Sequence, residues 1–202
     1  MKKIILATRN RGKIAEINQL FSGTGVEFVG LDAFPGVPEA IEDGNTFQEN
    51  ALKKAQTVFD HTRIPVLSED SGLAVDILGG APGVYSARYA SALATDRENI
   101  GKLLSDLHGV SPEKRTARFI SVFCLYDGRE TLYFEGEVQG HLLDVPRGTS
   151  GFGYDPLFVP RGYDKTFAEL GTEEKNRISH RANAIRKLKG YLLSLRNGEH
   201  SS

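Results

Sequence analysis

The chain is poor in the features that would give it an unusual architecture. It has one cysteine, Cys124, among 202 residues, so no internal disulfide can form. Cys124 sits in an apolar run and reads as a small core residue. No apolar run approaches the ~20 residues of a membrane-spanning helix. Only Ile4 to Ala7 separate Met1-Lys2-Lys3 from Thr8-Arg9-Asn10, too little for the apolar segment of a secretory signal. A cytoplasmic location is therefore expected, without a membrane partner. Charge of one sign is also missing. The formal net charge is −1, so the whole-chain balance gives no pull toward nucleic acid. There is no internal repeat, low-complexity tract or obvious linker. His61, His108, His141 and His200 are scattered without the spacing of metal ligands, and the glycine spacing of an ordinary P-loop is absent.

What is present is an ordinary globular composition, 40% hydrophobic and 25% charged, in a chain long enough to bury a sizeable core. One domain over residues 1–196 is expected, followed by a polar tail, 197–202. Ile4 to Ala7 reads as a short buried strand. Ile14, Ile17, Leu20 and Phe21 then share a helical face, with Asn10 as its N-cap. Val26 to Leu31 reads as a second strand. A helix is expected from Phe47 to about Phe59, with Thr46 and Glu49 as a capping box. Pro65 opens a strand delivering Glu69 and Asp70, and Leu73 to Leu78 reads as another. Gly79-Gly80-Ala81-Pro82-Gly83 begins a flexible loop. Thr95 and Glu98 suggest a second capping box, on a helix ending near Gly109. Thr116 to Tyr126 reads as a long strand, Asp127-Gly128 as a hairpin turn, and Thr131 to Val138 as the returning strand. The last helix runs from about Arg181 to Leu195. Strands alternating with helices early and a hairpin later point to a mixed sheet.

Four groups of residues carry possible chemistry. Thr8 to Lys13 lies at a strand-to-helix junction, where free amides and the helix dipole favour phosphate; an N-cap with basic surface neighbours is the plainer reading. Glu42, Glu49, Glu69 and Asp70 are oxygen donors of the kind magnesium takes, one or two carboxylates completed by water and phosphate. Glu69 and Asp70 can share an ion only if the strand ends there, since neighbours on a regular strand point to opposite faces. The capping box alone accounts for Glu49, a solvated acidic loop for Glu42, and a turn for the Glu69–Asp70 pair. Gly148 to Asp155 combines glycines with Phe152, Tyr154 and Asp155, suited to a flat ligand, or to a tight turn with core aromatics. Lys175 with Ser179-His180-Arg181 could meet phosphate or a base carbonyl, or could simply start a basic helix. The loop Ser86-Ala87-Arg88-Tyr89 could close over a ligand or be ordinary surface.

In combination and order these segments are far more specific. Thr8-x-Asn10-x-x-Lys13, Glu42-x-Gly44-x-Thr46-Phe47-x-Glu49-Asn50-Ala51 and Glu69-Asp70-Ser71-Gly72-Leu73 come first. Gly80 to Tyr89, Gly151-Phe152-Gly153-Tyr154-Asp155-Pro156 and Ile178-Ser179-His180-Arg181 follow. From about Lys3 to Leu195 the chain resembles the inosine triphosphate pyrophosphatase family, the HAM1-like nucleoside triphosphate pyrophosphatases. The resemblance implies an α/β fold of two lobes around a long, twisted mixed sheet with flanking helices, and a nucleotide cleft between the lobes. It implies a homodimer. It also implies magnesium-dependent hydrolysis of inosine, deoxyinosine and xanthosine triphosphates to monophosphate and pyrophosphate, which cleanses the nucleotide pool of deaminated purines.

Carried over residue by residue, Thr8, Asn10 and Lys13 would hold the triphosphate. Glu42 and Asp70 would bind magnesium, and Asp70 would activate water, ionised by a pKa that the neighbouring metal depresses. Glu69 stands where many relatives have aspartate, keeping the charge with a longer reach. Ser71 would touch substrate, and Phe152 would stack on the base in a pocket completed by Gly153, Tyr154 and Asp155. Lys175, His180 and Arg181 would contact the nucleotide near base and phosphate. Lys13 and Arg88 would steady the charge on departing pyrophosphate. Arg181 or His180 donating to a 6-oxo group would disfavour adenine, whose 6-amino group would leave them unpaired. The alternatives are a Maf-like pyrophosphatase for pyrimidine or modified nucleotides, and a non-catalytic nucleotide-binding protein.

Overall fold

The computed structural model describes residues 2–9, 14, 17, 18 and 21–198. Asn10, Lys13 and much of the first expected helix lie outside these residues. Ile14, Ile17 and Asn18 are helical, and Ile17 and Phe21 are buried as the apolar pattern requires.

Among the described residues, six strands form one mixed sheet in the order β2-β1-β3-β4-β5-β6. These are β1 (Lys2–Leu6), β2 (Val26–Gly30), β3 (Val66–Val75), β4 (Thr116–Tyr126), β5 (Thr131–Leu142) and β6 (Phe158–Pro160). β1 runs parallel to both β2 and β3, while β5 and β6 are antiparallel. Helices α1 (Phe47–Thr62), α2 (Asp96–Asp106), α3 (Phe167–Ile178) and α4 (His180–Gly198) flank it. Among the described residues no helix is long and apolar enough to cross a membrane.

The residues group into two compact units. The first comprises Met1–Asp70, Val122–Glu135 and Ala184–Ser202; the second, Ser71–Ser121 and Gly136–Asn183. The first unit has two apolar clusters, one around Leu6, Phe21, Phe28, Phe123 and Leu188, the other around Ile5, Ala51, Val58 and Cys124. Cys124 is fully buried, and burial pushes its thiol up to about 12. The second unit has its own cluster around Leu73, Leu103, Phe119, Leu157 and Phe158. Each large side chain so buried stabilises its unit by roughly 1.5–3 kcal/mol relative to exposure.

Local chemistry accounts for most of the boundaries. α1 starts where the Thr46 hydroxyl accepts the Glu49 amide, and it buries Phe47, Ala51, Ala55 and Val58. It stops at Arg63, whose left-handed backbone (φ 56°) turns its amide to the Phe59 carbonyl at 2.7 Å. The β4–β5 turn is fastened by Asp127, whose Oδ1 accepts the amides of Arg129 and Glu130 at 2.9 and 2.8 Å. Gly128 in that turn has φ 89°, and a Cβ there would lie 2.2 Å from the Phe59 ring, so only glycine fits.

Several expectations need correction. The strand carrying Glu69 and Asp70 does not end at Ser71-Gly72: one strand runs from Val66 to Val75. Sheet pairing overrides the local turn signal, and the Leu73 amide finds the Ser86 hydroxyl at 2.9 Å. Residues after Val75 form 3-10 turns, Asp76–Leu78 and Gly83–Arg88, in place of a further strand and a flexible loop. β5 continues four residues past Val138, to Leu142, and α4 continues to Gly198, into the expected tail. The sequence reading also missed β6 and α3. The latter carries its own start signal, since the Glu169 carboxylate accepts the Thr166 amide at 2.8 Å.

Candidate active site

The first unit gathers an acidic group around one cation. Lys54, on α1, places its Nζ 3.0 Å from Glu42 and 3.0 Å from Asp70. The same ammonium donates to the Glu69 backbone carbonyl at 3.0 Å. Asn50, one helical turn earlier and fully buried, donates to Asp70 Oδ2 at 3.2 Å. Its own Oδ1 accepts the Gly44 amide at 2.8 Å, which ties the acidic loop to the helix. Spacing of four residues puts Asn50 and Lys54 on one face of α1, against Glu69 and Asp70 in the middle of β3.

The Asp70 carboxyl is raised above the usual carboxylate range. Burial is the main cause and the nearby Glu42 charge adds to it, while Lys54 and the Asn50 hydrogen bond oppose it. The depressed pKa expected from a metal neighbour is thus not a property of the chain itself. A raised carboxyl is the better proton acceptor once ionised.

The donor set suits a hard cation. The Lys54 ammonium shows that Glu42 and Asp70 can both meet one positive charge. Among the described residues no group of three or more His, Cys, Asp or Glu is arranged to hold a metal. Magnesium commonly takes only one or two carboxylates from the protein. Glu69 and Asp70 are neighbours on an unbroken strand, so their side chains leave opposite faces, and the turn that was to bring them together does not form. Glu49 is occupied as a helix cap, though not as expected: its Oε2 accepts the Asn45 amide at 2.7 Å, not that of Thr46. Thr8 shares a cavity with Arg9, Glu42 and Lys54. Arg9 donates to the Val37 carbonyl at 3.2 Å.

The second unit holds a cavity of about 220 Å³ lined by Ser71, Ser86, Phe119, Phe152, Tyr154 and Arg181, among others. Its glycine loop is built around carboxylates. Asp155, 3% exposed, accepts the Phe152 amide at 3.0 Å and pairs with Lys175. Asp96 accepts the Gly153 amide at 2.6 Å. Gly151 must be glycine: at φ 82° a Cβ would lie 2.1 Å from Asp155 Oδ2. The Phe152 and Gly153 amides, already given to carboxylates, are not available to cradle phosphate. Phe152 is the exposed ring, with the Lys175 ammonium 4.7 Å and the Arg181 guanidinium 5.1 Å from its centroid.

Behind it, Tyr154 is buried and donates to the Ser86 carbonyl at 2.9 Å. Burial raises its phenol far above the ordinary value. His180 is buried and stacks on Phe119 at 5.0 Å and 13°. Arg181 also donates to the Ser71 hydroxyl at 2.9 Å.

The structure thus gathers Glu42 and Asp70 in one unit, and Ser71, Phe152, Gly153, Tyr154, Asp155, His180 and Arg181 in the other, with Lys175 over the Phe152 ring. Arg88 is not among the residues lining that cavity; its guanidinium lies 5.2 Å over the Tyr85 ring. Asn10 and Lys13 lie outside the described residues. Sequence reading missed Lys54 altogether, and with it Asp96 and Asn99, which line the ring cavity. The available signal for Lys54 was its place one turn after Asn50, which itself follows the cap residue Glu49.

A model of the Ham1 family matches residues 4–191. A dITP/XTP pyrophosphatase of Geobacter sulfurreducens is 49% identical over 193 residues, covering 95% of this chain and 97% of its own. One from Bacillus subtilis is 47% identical over 189 residues, covering 93% and 96%. Among solved structures, a HAM1 protein from Coxiella burnetii superposes with a TM-score of 0.91 at 40% identity, over 96% of this chain and 100% of that one. The Staphylococcus aureus Ham1 protein gives 0.88 at 38% identity, over 95% and 98%. With a match across nearly its whole length and relatives close to half identical, this chain belongs to the Ham1 family.

Proposed function

We propose that this protein hydrolyses deaminated purine nucleoside triphosphates, ITP, dITP and XTP, to the monophosphate and pyrophosphate. In this way it would cleanse the nucleotide pool, acting in the cytoplasm as a homodimer. The observation that carries the reading is the pair Glu42 and Asp70 turned on one cation, with Asp70 steadied by Asn50. The activity for which the two dITP/XTP pyrophosphatases are named supports the same chemistry.

Asp70 takes the proton of the attacking water. The water oxygen bonds to the α-phosphorus, the bond to the bridging oxygen breaks, and its electron pair leaves with pyrophosphate. Glu42 and Asp70 are the residues that would hold magnesium. Bound there, it would supply charge stabilisation to the phosphates. Lys54 keeps the two carboxylates together and offers positive charge beside them. Thr8, with Asn10 and Lys13, is assigned to the triphosphate.

Phe152 stacks on the base, and Tyr154 and Asp155 hold the loop that carries it. Arg181 and His180 are the donors for a 6-oxo group. Adenine presents a donor at that position, so the pocket's own donors would be left unpaired against it. The test is product analysis with purified protein, magnesium, and ITP, XTP, GTP, ATP and dUTP side by side. Pyrophosphate and monophosphate released quickly from ITP and XTP, and slowly from ATP, is the expected result. Preferred turnover of dUTP, or none of any nucleotide, would sink the reading.

A further inference from the structure

The first turn of α2 is fastened without help from its first residue. Thr95 and Glu98 complete the cap between themselves, with the Thr95 amide on Glu98 Oε2 at 2.7 Å and the Glu98 amide on Thr95 Oγ1 at 3.3 Å. Asp96, the first helical residue, is therefore spare as a cap. Its Oδ2 instead accepts the amide of Gly153, 57 residues away.

That amide belongs to the Phe152–Gly153 peptide. The other side of the same peptide, the Phe152 carbonyl, accepts the Asp155 amide at 3.3 Å. The peptide next to the exposed ring is thus held from both sides, in a loop whose glycines at 151 and 153 (φ 82° and 59°) would otherwise leave it many conformations. One turn along α2, buried Asn99 accepts the Ala90 amide at 2.9 Å and donates to the Ala87 carbonyl at 3.2 Å. Asp96, Asn99, Ala87 and Gly153 all line the ring cavity.

We propose that Asp96 is a positioning residue for base recognition: it fixes the Phe152–Gly153 peptide so that the Phe152 ring stands ready at the cavity mouth. Asn99 fixes the Ala87–Ala90 segment in the same way. The inference rests on the reading of this cavity as the base site. A ring held in place before substrate arrives costs less ordering on binding, so the role shows in affinity more than in turnover.

The chain has no tryptophan, so Phe152→Trp installs a single fluorescent reporter on the loop. In that background of the full chain, Asp96→Ala should lower the anisotropy and raise acrylamide quenching, while Asp96→Asn, which keeps an acceptor oxygen, should leave both near the parent values. With Phe152 native, Asp96→Ala should raise KM for ITP about ten-fold and change kcat less than about three-fold, and Asp96→Asn should restore KM. Circular dichroism checks the helix, and if the alanine variant is unfolded, Asp96→Ser, too short to reach Gly153, takes its place. Unchanged anisotropy and quenching in the alanine or serine variant, or an Asn variant as loose as the Ala variant, would overturn the proposal. The fluorescence needs no turnover. A wild-type protein inactive on ITP would therefore sink the proposed function while leaving the positioning of the loop tested on its own.

Discussion

The acidic group and the ring pocket solve opposite problems. Around Asp70, two carboxylates are crowded against one ammonium, and burial holds the Asp70 carboxyl above its ordinary range. That arrangement is costly for the fold, and in the proposed mechanism it serves to move a proton. Around Phe152, three charges hold a shape: Asp155 and Asp96 take loop amides, and Lys175 pairs with Asp155 beside the ring. On the proposed function, one region supplies chemistry and the other supplies geometry. Changes in the first should therefore strike turnover, and changes in the second should strike affinity.

The sharpest break of that contrast is Asp70→Asn. With Asp70 as the proposed general base, its loss should lower kcat roughly 10²–10⁴-fold. The melting temperature should not fall, because a buried charge whose burial opposes ionisation is removed. Calorimetry showing strong destabilisation would make Asp70 a structural residue. Phe152→Ala is the counterpart. Loss of one stacked ring should raise KM about 10- to 100-fold with a smaller change in kcat, and steady-state kinetics giving the reverse split would remove the contrast.

The signs of the Asp70 shift can be checked by NMR titration of the metal-free chain. Glu42→Gln removes a raising charge and should move the Asp70 midpoint to lower pH, whereas Lys54→Met removes a lowering one and should move it higher. A raised folded-state pKa also means that ionised Asp70 costs stability. This cost is absent below the ordinary carboxylate range, sets in as pH rises through that range, and is complete above the raised folded value. Metal-free Asp70→Asn should therefore gain stability over wild type across that window. The smallest effect belongs to Tyr154→Phe. It removes the bond to the Ser86 carbonyl and should cost about 1 kcal/mol in denaturant unfolding.

Much of this was legible in the sequence wherever the cause was local. The strand Thr116 to Tyr126 has the bounds its sequence predicts, because alternating small and apolar residues end at Asp127-Gly128 and the Asp127 side chain itself builds that turn. The Thr95–Glu98 capping box formed as read. What was missed depends on distant partners. Ser71-Gly72 looks like a break, yet neighbouring strands and the Ser86 hydroxyl carry β3 through it. Gly171, at φ 77° inside α3, interrupts the periodicity that would have revealed that helix. Lys54 looks like one more surface lysine until Glu42 and Asp70 fold onto it. Asp96 looks like a helix-start residue until Gly153 arrives. The residues expected at the base and the metal are legible in the order of the motifs. The residues that hold them in place came only from the fold.

The most direct measurement is hydrolysis of ITP in water enriched in heavy oxygen, with both products analysed by mass spectrometry. The label is expected in the monophosphate and none in pyrophosphate, since in the proposed mechanism the water oxygen bonds to the α-phosphorus. Label in the pyrophosphate, or release of inorganic phosphate in its place, would contradict it.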